Sequence, residues 1–137
     1  MYRRGNRKFN ATKTKVDGIL FDSKMEAAEY VRLKKLERAG AIQDLELQPR
    51  FVLLRSFNVL TNKTKNGKSK QGTMIYTPDF SYYQGMEFVV LETKGFADTA
   101  FKLHKKLLLS QMDKFEVDCF IESTANGIYE YRLDKRK

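Results

Sequence analysis

Two spacings of apolar residues divide the chain into helices and strands. Ser23-Lys24-Met25-Glu26 is a capping-box pattern, and it predicts a helix running to about Ala39 with Gly40 in the stop position beyond it. Ile42 to Leu47 alternates imperfectly and reads as a strand, which Gln48-Pro49 interrupts and Phe51 to Leu54 resumes. Thr61 to Gly72, with Asn66-Gly67 at its tip, reads as a long mobile hairpin loop. Ile75 to Tyr83 and Met86 to Lys94 read as antiparallel strands around a two-residue Gln84-Gly85 turn. Within the second of them Phe88, Val89, Val90 and Leu91 form an unbroken apolar run, the mark of a strand buried on both faces. Ala97 to Met112 predicts a second helix, with Ala100, Leu103 and Leu107 beside Phe101, Leu108 and Met112 as its apolar side and Lys102, Lys105 and Lys106 elsewhere. Phe115 to Ile121 and Ile128 to Leu133 close the chain as strands joined around Asn126-Gly127. The order is a helix, three or four strands, a helix and two strands, an α/β (α+β) arrangement without an internal repeat.

Composition sets outer bounds on this picture. With 137 residues and 42% hydrophobic content the chain is expected to form one domain, residues 16–137, behind a flexible basic arm of residues 1–15. No apolar run approaches the ~20 residues that cross a bilayer, and the basic N-terminus leads into no signal-peptide stretch, so a soluble cytoplasmic protein is expected. Cys119 is the single cysteine, which excludes an internal disulfide. In an alternating strand it shares a face with Phe115, Val117 and Ile121, which reads as core packing.

Charge is placed unevenly. Arg3, Arg4, Arg7, Lys8, Lys13 and Lys15 in the first segment, Lys63, Lys65, Lys68 and Lys70 in the loop, and Lys135-Arg136-Lys137 at the end occur without acids among them. They are half of the 26 basic residues, and the remainder of the chain holds 17 acids, so the net charge of +9 sits on the arms and the loop while the body is mildly acidic. That pattern suits a grip on nucleic acid through phosphates. The plain alternative is a set of solubilising tails. No zinc-finger spacing or RNP aromatic signature specifies sequence readout.

The candidate chemistry lies in Thr77-Pro78-Asp79-Phe80 and Leu91-Glu92-Thr93-Lys94-Gly95. With the Gln84-Gly85 turn, Tyr83 faces Met86, Asp79 faces Val90 and Thr77 faces Glu92, so Asp79 and Glu92 become diagonal neighbours roughly 7–8 Å apart at the backbone. Lys94 lies on the same face, while Thr93 points away and offers only its carbonyl. Two carboxylates, a carbonyl and waters are what a hard divalent cation such as Mg2+ takes, and a lysine beside them can hold an attacking water or offset phosphate charge. A structural ion pair is the plain alternative, although a strand buried on both faces should not end in Glu and Lys without partners. His104 shares a helix side with Phe101 and Leu108 and reads as a partly buried spectator.

Glu26 on a first helix, Pro78-Asp79, Glu92-Thr93-Lys94 on the following strand and then a helix and a strand resemble the PD-(D/E)xK nuclease superfamily over roughly Ser23 to Ile121. Ser23-Lys24-Met25-Glu26-Ala27-Ala28, Gly40-Ala41-Ile42 and Gln48-Pro49-Arg50-Phe51 are similar to small phage-encoded nucleases, and less closely to the nuclease subunit of some transposition systems. The resemblance implies a restriction-endonuclease-like core, a central mixed sheet flanked by helices in αβββαβ order. It implies Mg2+ or Mn2+ held by Asp79 and Glu92 with the Thr93 carbonyl as a further ligand, and Lys94 orienting the water. Glu26 matches the first-helix glutamate that approaches the metal, directly or through water, although the capping box already gives it a role; Gln48 is a possible supporting residue. The implied reaction is hydrolysis of DNA phosphodiesters, with a Holliday-junction resolvase acting as a homodimer on branched or double-stranded DNA as the leading form. A nickase or processing nuclease of phage replication or packaging is the second form. Outside enzymes, the alternative is a catalytically silent DNA-binding or structural protein that kept the fold.

Overall fold

A computed structural model describes residues 12–136; Arg3, Arg4, Arg7, Lys8 and Lys137 lie outside them. The elements in order are β1 (Thr14–Val16), β2 (Ile19–Phe21), α1 (Lys24–Arg38), β3 (Gln43–Leu47), β4 (Phe51–Leu54), β5 (Phe57–Leu60), β6 (Lys68–Gln71), β7 (Met74–Tyr76), β8 (Phe80–Gln84), β9 (Glu87–Lys94), α2 (Thr99–Ser110), α3 (Met112–Phe115), β10 (Cys119–Thr124) and β11 (Gly127–Tyr131). The central sheet has five strands in the order β11-β10-β9-β8-β3. Its β9–β10 pair is parallel and the other neighbours antiparallel, so the fold is a mixed α+β one. Taken alone, α1, β3, β8, β9, α2 and β10 follow the expected αβββαβ order. The additions are the β1–β2 hairpin, the edge strand β11, and a ribbon of β4 to β7 inserted between β3 and β8.

Both faces of the sheet are covered. Val89 and Leu91 of β9 pack with Phe21, Ala27, Tyr30 and Leu33 on the α1 side, and Val90 packs with Phe101, Leu108 and Met112 on the α2 side. This two-sided burial is why β9 carries an unbroken apolar run. Helix α1 starts where the Ser23 Oγ accepts the Glu26 N–H at 3.1 Å. It stops in a Schellman motif: the Gly40 N–H donates to the Glu37 carbonyl at 3.0 Å and the Ala41 N–H to the Leu36 carbonyl at 2.9 Å.

Several expected boundaries move. The expected strand from Ile75 to Tyr83 is two strands: β7 pairs with β4 outside the central sheet, β8 pairs with β9 within it, and buried Pro78, which has no N–H to give a ladder, sits at the change of sheet. The second helix starts at Thr99, where the Asp98 carboxylate accepts the Phe101 N–H at 2.8 Å, and it breaks at Gln111 before the short α3. Glu116 is left-handed (φ 57°), so β10 begins at Cys119 rather than Phe115. Phe115 and Val117 therefore pack on the α2 side while Cys119 and Ile121 pack on the α1 side, and the expected shared face is not formed. The last turn is Ala125-Asn126, since Thr124 pairs with Gly127. The β1–β2 hairpin turns on Asp17-Gly18 (φ 53° and 77°), an Asp-Gly signal of the primed-turn kind. Lys15 lies within that hairpin, and the Lys13 Nζ is 3.2 Å from Asp22.

The basic loop is a β-ribbon. Leu54 pairs with Met74, Phe57 with Gln71 and Leu60 with Lys68, so β5–β6 continues the register of β4–β7 across Arg55-Ser56. Its tip is cross-bonded rather than open: the Thr61 N–H donates to the Gly67 carbonyl at 2.9 Å, and the Thr64 hydroxyl to the Lys68 carbonyl at 2.7 Å. Among the described residues no helix is long and apolar enough to cross a membrane.

Gly40 has φ +81° and open space where a Cβ would go, so its role is backbone conformation alone. Gly40→Ala should cost roughly 1–2 kcal/mol from the left-handed penalty. Urea unfolding would show a lower midpoint with an unchanged m-value; an unchanged midpoint would mean that the Schellman stop is not needed.

Candidate active site

The site is built by the turn that joins β8 to β9. Gly85 stands first in the loop with φ +62°, the position a type II′ turn reserves for glycine, so the loop is Gly85-Met86 and Gln84 pairs with Glu87. The expected Gln84-Gly85 turn is one residue early, and the expected pairing of Tyr83 with Met86 becomes Tyr83 with Phe88. The ladder thus shifts by two residues, which leaves every side chain on its expected face. Phe80 pairs with Leu91, and the next step of the ladder brings Asp79 opposite Glu92 instead of Val90.

At that step the ladder is replaced by a reciprocal clasp. The Asp79 N–H donates to Glu92 Oε1 at 2.9 Å, and the Thr93 N–H donates to Asp79 Oδ2 at 2.8 Å. The Thr93 hydroxyl donates to the same Oδ2 at 2.9 Å, so Thr93 contributes its N–H and side chain as well as the carbonyl that was expected to be its only contribution. Lys94 lies on the Glu92 face with its Nζ 3.4 Å from Glu92 Oε2.

Three acids meet in this corner. Glu92 is only 5% exposed, and burial first, then the Asp79 charge, push its carboxyl up to about 8 against the pull of Lys94 and the Asp79 N–H. Glu26 reaches the site from the first turn of α1, where burial and then the Asp79 charge push it up to about 7. Asp79 is raised by burial and held back by its bonds to the Thr93 N–H and hydroxyl, then by Glu26 and Lys94. Glu26 thus belongs to the site as well as to the first turn of α1: it lines a cleft with Asp79, and the Asp79 charge adds to burial in raising its carboxyl.

Two clefts open on the cluster. One of about 480 Å³ is lined by Ser23, Glu26, Thr93, Lys94 and Asp98; the other, of about 270 Å³, is lined by Glu26, Gln48, Asp79 and Phe80. Gln48 is exposed and left-handed (φ 51°), and its N–H donates to the Asp79 carbonyl at 2.9 Å. A non-glycine residue held at positive φ beside such a cluster is the kind of strain that functional sites keep. Among the described residues no three His, Cys, Asp or Glu side chains already form a metal cage. The donors are nonetheless all hard oxygens; burial raises all three carboxyls and the Asp79 charge further raises Glu26 and Glu92, a cost that a divalent cation relieves. In that respect the residues fit Mg2+ or Mn2+.

Sequence reasoning did not single out the residues behind Glu92 and Lys94. Tyr76 is buried near Glu92, its hydroxyl meets no hydrogen-bond partner in good geometry among the described residues, and burial followed by the Glu92 charge raises it. Its ring lies 5.5 Å from that of His104, which shares a cleft with Tyr76, Glu92 and Lys94. Glu122 on β10 lies in register with Glu92, and Lys105 Nζ bonds its Oε1 at 2.8 Å and the Tyr131 hydroxyl at 3.2 Å. Lys94 and Lys105 flank the Phe101 ring at 5.1 and 5.6 Å. An Ile-Tyr-Thr-Pro-Asp run signals none of this, because the contacts come from α2 and β10. Of the expected nucleic-acid residues, Lys63, Lys65, Lys68 and Lys70 are all exposed on the ribbon and are not brought to the acids by any contact among the described residues.

Fold and site together define a mixed α+β domain with a buried acidic corner at the ends of two sheet strands. The chain belongs to the family described as "Protein of unknown function (DUF1064)", which matches residues 6–126. No curated protein matches it. A solved structure titled "Crystal structure of SSO0001" is similar at 13% identity and a TM-score of 0.37, covering 81% of this chain and 51% of its own. The chain thus spans about half the length of that structure, and neither description names an activity.

A carboxyl raised by folding binds more protons folded than unfolded between its two values, so stability falls as pH rises through that window. For Glu92 the window runs from 4.5 to about 8, and for Glu26 from 4.5 to about 7. The metal-free protein should lose several degrees of Tm between about pH 5 and about pH 8.5, and Glu92→Gln should flatten the loss. Circular-dichroism melts decide it; parallel slopes for both proteins would put the charge strain elsewhere.

Proposed function

We propose that this protein is a Mg2+- or Mn2+-dependent endodeoxyribonuclease. The observation that carries the reading is the buried clasp of Asp79 with Glu92 and Thr93, set beside Lys94 and facing open clefts. Asp79 and Glu92 would hold the cation with the Thr93 carbonyl, and Glu26 would contact it directly or through water. When bound, the cation supplies an acidified water and neutralises charge on the phosphate. Lys94 orients that water and offsets the charge developing on the phosphoryl oxygens. Gln48 fixes the backbone at Asp79 from the other side of the cleft.

The substrate class follows from charge rather than from base-reading groups. A small basic protein without a sequence-reading module suits DNA shape, and a four-way junction is the leading substrate, cut symmetrically by two copies of the chain. A nickase or processing nuclease of phage replication or packaging is the alternative within the same chemistry. A silent DNA-binding protein would have no need to set one buried and two partly buried acids beside one another.

Asp79→Asn and Glu92→Gln should each abolish Mg2+-dependent cleavage of supercoiled and branched DNA while the far-UV spectrum stays native. Lys94→Met should lower turnover by about 10²–10³ with little change in DNA affinity, and Lys94→Arg should not restore it, because a planar fork replaces a compact ammonium poorly. Wild-type cleavage by either acid variant would remove the site from this position. Equal loss of affinity and rate in Lys94→Met would make Lys94 a phosphate anchor.

A further inference from the structure

The β5–β6 ribbon has no role in the fold that the structure reveals. Its strands contact each other extensively, and no other element contacts either of them to a comparable degree. A two-stranded ribbon alone is at best marginally stable in water, and this one carries on from the Leu54–Met74 pair of β4–β7, whose Phe51, Leu53 and Tyr76 are buried in the core beyond a register shift at Val52/Leu54. From Leu54 to Leu60 it extends roughly 20 Å. The chain that leaves its base runs Tyr76-Thr77-Pro78 directly into Asp79.

Its surface has one chemical character. From Pro49 to Pro78 the chain contains Arg50, Arg55, Lys63, Lys65, Lys68 and Lys70 and no acid, and none of the four lysines forms an ion pair among the described residues. Apolar side chains stand among these charges: Phe57 is 47% exposed, Val59 37% and Leu60 84%. Strand alternation puts Leu60 on one face with Lys68 and Lys70, and Phe57 and Val59 on the other with Ser69 and Gln71. The apolar groups are thus divided between two faces, neither of which makes a broad apolar patch for a protein partner or a bilayer. A polyanion that also offers apolar surfaces on both sides of an inserted side chain is DNA with unstacked bases.

We propose that this ribbon is a wedge arm of the enzyme: Leu60, at the last paired position before the tip, inserts at an unstacked base step while Lys63, Lys65, Lys68 and Lys70 hold the flanking phosphates. The inference rests on the DNA reading of the site and assigns its shape selectivity to one element. Opening a stacked step is costly, so a wedge favours branch points and bulges where the step is already open. Since the ribbon base continues into Asp79, seating the wedge sets where the strand meets the acids.

Binding is measured without divalent cation, which separates it from cleavage. The probes are a matched linear duplex, a four-way junction, and a bulged duplex carrying 2-aminopurine at the bulge; the proteins are wild type, Leu60→Ala, and the quadruple Lys→Gln variant of Lys63, Lys65, Lys68 and Lys70. Wild type should prefer junction and bulge and raise 2-aminopurine fluorescence. Leu60→Ala should lose about tenfold in that preference, the effect of an exposed leucine no longer buried, and lose the fluorescence rise while keeping its duplex affinity. The quadruple variant should weaken all binding and flatten the salt slope by up to about 0.9 per lost phosphate contact. An unchanged preference in Leu60→Ala overturns the wedge, and unchanged binding and salt slope in the quadruple variant overturn the arm. Binding as expected with no cleavage of any probe in Mg2+ supports the arm and overturns the nuclease reading instead.

Discussion

Asp79 and the Glu92-Thr93 segment hold one another by exchanging backbone and side chain: the Asp79 N–H goes to the Glu92 carboxylate, and the Thr93 N–H and hydroxyl go to the Asp79 carboxylate. The exchange continues the β8–β9 pairing one step past Phe80 and Leu91, where a normal ladder would bury backbone groups and leave the acids free to turn outward. Pro78 stands immediately before it at the change of sheet, and the preceding chain belongs to β7, which pairs with β4 outside the central sheet. The acids, the break between β7 and β8, and the chain leading back to the basic arm thus meet at one point of the sequence.

The clasp holds its charge against the stability of the metal-free fold. The comparison with Glu122 makes this concrete, since it is buried one strand away in register with Glu92. Glu122 has a close ion pair with Lys105 at 2.8 Å and a tyrosine hydroxyl, the arrangement that a purely structural buried acid requires. Glu92 has Lys94 at 3.4 Å, the Asp79 N–H and the Asp79 charge around it, and burial first, then that charge, drive its carboxyl up to about 8. One sheet thus holds one glutamate against a close lysine and its neighbour against a more distant one, and under the proposed function a bound cation would supply the remaining positive charge.

The parts of this arrangement that rest on local signals were legible in the chain. Helix α1 announced both ends through Ser23 and Gly40, and β9 announced its two-sided burial through Phe88 to Leu91. The shared face of Asp79 with Glu92 and Lys94 survived an incorrect turn because a shift of two residues preserves parity. What was hidden depended on distant partners. The continuous apolar and polar pattern from Ile75 to Tyr83 carries no mark of a change of sheet except Pro78, and Tyr76, Lys105 and Glu122 acquire their meaning only when α2 and β10 cross the strand ends. The Asp17-Gly18 hairpin carries a local turn signal of its own, set within a run of basic charge.

The account stands on a divalent cation seated among Asp79, Glu92 and Thr93 within reach of Glu26. Mn2+ titrated into isotopically labelled protein tests this directly, because its unpaired electrons broaden the amide signals nearest to it. At substoichiometric Mn2+ the amides of Asp79, Glu92, Thr93 and Lys94, and then those of the first turn of α1, should disappear first, and excess Mg2+ should restore them. Broadening spread over exposed acids elsewhere, with these amides untouched, would contradict the account.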